Sequence, residues 1–130
     1  ERLGQKPRGR ILVYALGGDE SLPVPEPEKP PPEPPELPDD TTEEQLLLGA
    51  SQYHMYCGVC HGAGVRSGGV VADLRHMLPG KYLVFREIVA DGLLKDQGMP
   101  GFGDVLDNDE IGAIQRYVIK EANKMHEGRL

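Results

Sequence analysis

Residues 56–64 read Tyr-Cys-Gly-Val-Cys-His-Gly-Ala-Gly, and they hold the only two cysteines of the chain, Cys57 and Cys60, with His61 directly after the second. Four chemistries use such a run. A thioredoxin-like dithiol places its CxxC after a strand of a βαβ unit, but the residues before Cys57 have helical periodicity. A structural zinc site needs four ligands at familiar spacings. The other histidines are His54, His76 and His126, and none forms an H-x₃₋₅-H pair with His61. A disulfide across two intervening residues is strained. The fourth chemistry is covalent haem attachment at C-x-x-C-H. Two thiols on one helical turn add to the two vinyl groups along one porphyrin edge. His61, the next residue, then supplies the proximal nitrogen to the iron.

Working outward, 130 residues suit one small domain. Twelve prolines and 5% aromatics leave little apolar side chain for a core of that size, so a further stabilising device is expected. The net charge of −7 argues against nucleic acid and against a polybasic membrane anchor. No apolar run approaches the roughly 18 residues of a membrane span. The opening ERLGQKPRGR lacks the apolar stretch of a signal peptide, and a start inside a longer precursor is compatible with that.

Three regions separate by composition. In residues 1–20, the stretch 10–16 (RILVYAL) is β-branched and aromatic and is bounded by Gly17-Gly18, which predicts one strand. A lone strand is not stable by itself, so this region reads as the remnant of a preceding β domain. Residues 21–38 form a proline-rich linker. Nine of the twelve prolines lie in 22–38, interleaved with four glutamates. Proline fixes φ and removes a donor, so an extended, solvated polyproline II arm is expected, and seventeen residues at about 3.1 Å each reach roughly 50 Å. Residues 39–130 form the folded domain, all-α, with three main helices. The first starts at Asp40-Thr41-Thr42, with capping-box spacing from Thr41 to Glu44 and an apolar series at Leu46, Leu47, Ala50 and Tyr53 that runs into Cys57. The second covers 82–90, with Gly92 as terminator. The third starts at Asp107, boxed with Glu110, and carries the stripe Ile111, Ile114, Tyr117 and Val118. Glycine-rich connections, 62–78 and 93–106, join them. Such long loops are expected to need something large and apolar to cover, which covalent haem attachment would supply.

A six-coordinate haem needs a ligand on its other face. Met55 is too close to Cys57 to wrap round the macrocycle. Met77 is a weaker candidate, beside His76. Met125 and His126 lie on the tail of the last helix, and packing accounts better for Met55 and Met125. Met99 stands in DQGMPGFGD, a loop held open by Gly98, Pro100 and Gly101, with room for a helix and a return after His61. With both axial positions filled by His61 and Met99, the iron has no open site for substrate. That favours electron transfer over catalysis by this chain alone, and such ligation raises the potential.

Over residues 41–122 the chain resembles a class I c-type cytochrome domain. The resemblance rests on Gly49-x-x-x-Tyr53, CGVCHG, GMPGF and the closing LDNDEIGAIQRYVI. It implies a class I cytochrome c fold wrapped round one covalent haem c, with the first and last helices crossing at Gly49 and Tyr117. A narrower resemblance adds GRILVYALGG, the proline arm, CGVCHGAGVRSGGVVADLR and IVADGLLKDQGMPGFGDVL. These look like the C-terminal end of quinohaemoprotein alcohol dehydrogenases, whose β-propeller binds pyrroloquinoline quinone (PQQ). That resemblance implies a quinoprotein dehydrogenase domain as partner, with PQQ held there and not in this chain. It also implies a periplasmic location, an external acceptor (a cytochrome, a copper protein or an oxidase chain) and Arg75 on a haem propionate. A carbonyl within 69–72 would receive the second nitrogen of His61, although Ala72 stands where related sequences usually have proline. The alternative is a free-standing periplasmic cytochrome c whose proline arm docks a partner.

Overall fold

The computed structural model describes residues 16–19, 21 and 30–128; the predicted strand 10–16 lies, apart from Leu16, outside them. Among the described residues the regular structure is helical. Helix α1 spans Glu43–Gln52 and begins one residue later than the capping pattern predicts. Thr42, not Thr41, is the N-cap. The Gln45 N–H donates to Thr42 Oγ1 (3.2 Å) and the Thr42 N–H to Gln45 Oε1 (3.0 Å). A glutamine amide closes the box as well as a carboxylate does, and the shift leaves Glu43 and Glu44 in the first turn, where the helix dipole favours them. The chain runs on through a π-helical turn, Tyr53–Cys57, into the short helix α2, Gly58–His61.

The expected second helix is broken. Helices α3 (Pro79–Leu83) and α4 (Phe85–Val89) meet at Val84, whose φ of −115° and ψ of 24° leave the helical region. At the break the Tyr82 carbonyl accepts the side-chain amide of Gln115 (2.7 Å). Helix α5, Asn108–His126, starts as predicted with the Asp107–Glu110 box closed at 2.8 and 2.9 Å. It buries the predicted stripe together with Ala113, Ile119 and Ala122. The connections carry 3₁₀ turns at Ala63–Val65, Leu74–His76 and Lys95–Gln97.

Helices α1 and α5 cross in direct backbone contact, and a Cβ built on Gly49 would overlap the Ala113 carbonyl. Around the crossing, Tyr53, Val65, Ile114 and Val118 are fully buried. Tyr117 packs beside Tyr53 with ring centroids 5.5 Å apart. The small residue and the aromatic residue thus occupy the roles the resemblance implies. Leu47, expected in the apolar series of α1, is instead 65% exposed. With the backbones this close, Gly49 and Tyr53 fill the contact.

The expected solvated arm is only partly solvated. In its described portion, 30–38, Pro34 is buried and Leu37 packs against the core. Asn123 Nδ2 donates to the Pro35 carbonyl and His126 Nε2–H to the Pro32 carbonyl, both at 2.9 Å. Prolines offer carbonyls without N–H groups, and the last turns of α5 supply the donors.

Candidate haem-binding site

The π-helical turn and α2 carry the cysteines. The turn carries one residue more than an α-turn, with the Gly58 N–H bonded to the Tyr53 carbonyl. Such turns recur at functional sites. Cys57 is buried, Cys60 is exposed, and both are free thiols, so no disulfide joins them. Burial, with Cys60 adding to it, pushes the Cys57 thiol up to about 11. A redox dithiol needs a depressed value.

His61 closes α2. Its Nδ1–H donates to the Ala72 carbonyl at 3.0 Å, which leaves Nε2 as the nitrogen with a lone pair for a metal. The partner falls within the expected stretch 69–72 even though proline is absent there. Gly62 follows at φ +83°, where a side chain would both strain the backbone and overlap the Arg66 carbonyl. The Gly62 carbonyl accepts the hydroxyl of fully buried Tyr53 at 2.9 Å. Burial and the neighbouring Cys57 raise that phenol above its ordinary value.

The imidazoles of His54 and His126 have protein partners. His54 Nδ1–H donates to the Ala50 carbonyl (2.6 Å) and its Nε2 accepts the Gly64 N–H (3.3 Å). His126 holds the proline arm. Among the described residues no group of three or more His, Cys, Asp or Glu side chains is placed to hold a metal ion. The donor set therefore does not suit zinc. It does suit a haem: two unpaired thiols on one turn and a histidine whose other nitrogen is already committed.

Met99 is half-buried and packs against the core, and its loop is fastened on two sides. The Phe102 N–H donates to the Val89 carbonyl (2.7 Å) and the Gly103 N–H to that of Ala90 (3.1 Å). The Phe102 ring lies edge-on to Tyr56, with centroids 6.2 Å apart, next to Cys57. The structure thus brings the Met99 loop against the attachment turn. Met77 packs against the same core, so burial does not separate the two methionines. Met55 is 67% exposed, which overturns packing as its role. Arg75 is engaged by Asp73: Nε donates to Oδ1 (3.0 Å) and Nη2 to Oδ2 (2.8 Å). Sequence reading missed Asp73, a buried carboxylate whose signal was its place two residues before an arginine. It also took Tyr53 for packing alone.

A family profile described as cytochrome c oxidase, cbb3-type, subunit III matches residues 44–118. The chain belongs to this family of cytochrome c domains. The chain is 39% identical to quinohemoprotein alcohol dehydrogenase ADH-IIG of Pseudomonas putida over 126 residues, which is 97% of this chain and 17% of that protein. It is 40% identical to ADH IIB of the same organism over 89% of the chain and 17% of the relative. Cytochrome c550 of Pseudomonas aeruginosa is 35% identical over 55% of the chain and 52% of that protein. The solved structure of ADHIIG from Pseudomonas putida HK5 superimposes with a TM-score of 0.70 at 38% identity, covering 86% of this chain and 16% of that one. The chain thus spans about a sixth of the length of these dehydrogenases. Its fold is the class I cytochrome c fold, and a cytochrome c domain carries one covalent haem c and transfers electrons. No helix among the described residues is long and apolar enough to cross a membrane.

Proposed function

We propose that this domain carries electrons from the reduced PQQ of an alcohol-oxidising dehydrogenase domain to an external acceptor in the periplasm. The observation that carries this reading is the reach of the similarity. It extends over 126 residues of the chain for ADH-IIG, beyond the cytochrome fold and into the N-terminal arm, but over only 75 for cytochrome c550. A free-standing cytochrome with a docking arm fits that difference less well. In this reading 1–20 belongs to the preceding β domain, 21–38 is the linker and 39–130 is the cytochrome.

Cys57 and Cys60 tether the haem by thioether bonds, and His61 Nε2 and Met99 Sδ hold its iron. The group supplies one-electron exchange at fixed coordination. The chain's own residues orient and shield it. The Ala72 carbonyl fixes the His61 ring, Tyr53 fixes the turn behind it, and Phe102 with Tyr56 fixes the Met99 loop. The acceptor is a cytochrome, a copper protein or an oxidase chain.

Two measurements test the proposal. Expressed with haem-maturation machinery, the protein gains the mass of one haem, and alkaline pyridine reports two thioether bonds. An unmodified mass sinks the haem assignment. The natural gene's reading frame is expected to continue upstream of Glu1 into a propeller, and a stop codon there would reject the dehydrogenase partner while leaving the haem in place.

A further inference from the structure

Ala72, whose carbonyl accepts the hydrogen bond from His61 Nδ1–H, shares its peptide bond with Asp73. The Asp73 residue is 9% exposed, and its carboxylate gathers four donors. These are the Arg75 backbone N–H (3.0 Å), Arg75 Nε (3.0 Å), Arg75 Nη2 (2.8 Å) and, more weakly, the Ser67 N–H (3.4 Å). Burial alone would raise this carboxyl, but the Arg75 hydrogen bonds outweigh it and hold the group below the usual carboxylate range. Asp73 is also the N-cap of the 3₁₀ turn Leu74–His76, which packs on α5. A continuous path therefore runs from the imidazole through the Ala72 carbonyl to Asp73, its arginine fork and the longest helix of the domain.

We propose that Asp73, braced by Arg75, is a positioning residue for the proximal ligand: it holds the 72–73 peptide so that the Ala72 carbonyl keeps its hydrogen bond to His61. The partner of a ligating histidine sets the ring's orientation and raises its basicity. A loosened carbonyl weakens both, makes the imidazole a poorer donor to oxidised iron and raises the reduction potential. Arg75 thereby serves the imidazole through Asp73. The inference rests on haem ligation by His61, which the wild-type mass and spectrum test before any variant is made.

The experiment uses the haem-loaded full chain. Asp73→Asn offers one acceptor oxygen where the carboxylate offers two, so the fork and the turn cannot both be kept. In the reduced protein the His61 Nδ1–H proton exchanges with solvent about tenfold faster than in wild type, as expected for the loss of roughly one hydrogen bond's worth of protection. The potential rises in parallel. Arg75→Lys keeps the charge and loses the fork, and it shifts both readouts the same way. It carries the test if Asp73→Asn yields no holoprotein. The double variant Asp73→Asn/Arg75→Gln removes the pair without leaving a net charge. Fast exchange persists there if position is what matters. A return of exchange and potential to wild-type values would mean a simple charge effect and overturn the proposal. So would an Arg75→Lys protein in which only the pH dependence of the potential moves, the signature of a propionate partner.

Discussion

Met77 and Met99 are both half-buried against one core, and they differ in backbone. Met77 ends a 3₁₀ turn, its N–H bonded to the Leu74 carbonyl, and leads directly into α3. Met99 likewise follows a 3₁₀ turn, its N–H bonded to the Leu94 carbonyl (3.2 Å), but it sits between Gly98, at φ +92°, and Pro100, outside any α-helix. Met99→Ala is expected to abolish the far-red sulfur-to-iron charge-transfer band of the oxidised protein and to lower the potential. Met77→Ala keeps the band. Retention of the band in Met99→Ala assigns the ligand elsewhere. Tyr82 gives a pH test. Its hydroxyl is buried with no hydrogen-bond partner among the described residues, and burial pushes it up to about 12 from an ordinary 10. The folded state therefore holds this proton more tightly than the unfolded chain. The associated stability is full below about pH 10 and is lost as pH rises towards 12, at about 1.4 kcal/mol per unit. Tyr53 pulls in the same direction. Denaturant midpoints above pH 10 should fall less steeply in Tyr82→Phe than in wild type.

At the scale of elements, the α1/α5 crossing decides the fold. The glycine that permits it is Gly49, since any side chain there meets the Ala113 backbone. In an isolated helix Gly49→Ala would stabilise by up to about 1 kcal/mol. Here the overlap with backbone atoms that cannot rotate away outweighs that gain, and a net loss of about 2–3 kcal/mol is expected in denaturant melts. A neutral or stabilising result would show that the helices slide apart freely. Much of this level was legible in the sequence, because caps and apolar stripes are local. Asp107–Glu110 was read correctly. The α1 cap was displaced by one residue because Thr41 and Thr42 are equivalent in sequence and only the backbone path chooses between them. The break at Val84 was not legible. Tyr82–Ala90 has a sound helical period, and its interruption coincides with an acceptor role for Tyr82 towards Gln115, which is distant in sequence.

For the molecule as a whole, the net charge of −7 bears on how the proposed acceptor would meet it. Long-range attraction to a basic face is screened over about 8 Å at physiological salt. The second-order rate of electron transfer to a basic acceptor should therefore fall as ionic strength rises, and a rate that does not change with salt would place the encounter on an uncharged patch. The sequence by itself determined the helical class and the tight spacing of Cys57, Cys60 and His61, because helix periodicity and CGVCH act through a few covalent links. Tertiary structure alone decided that the Ala72 carbonyl accepts the His61 Nδ1–H hydrogen bond and that Asp73 engages Arg75. It also decided that His54 and His126 are engaged elsewhere and that the arm lies on α5. Those outcomes depend on which carbonyls and donors the packed chain brings within about 3 Å of one another, and no local pattern encodes such distances.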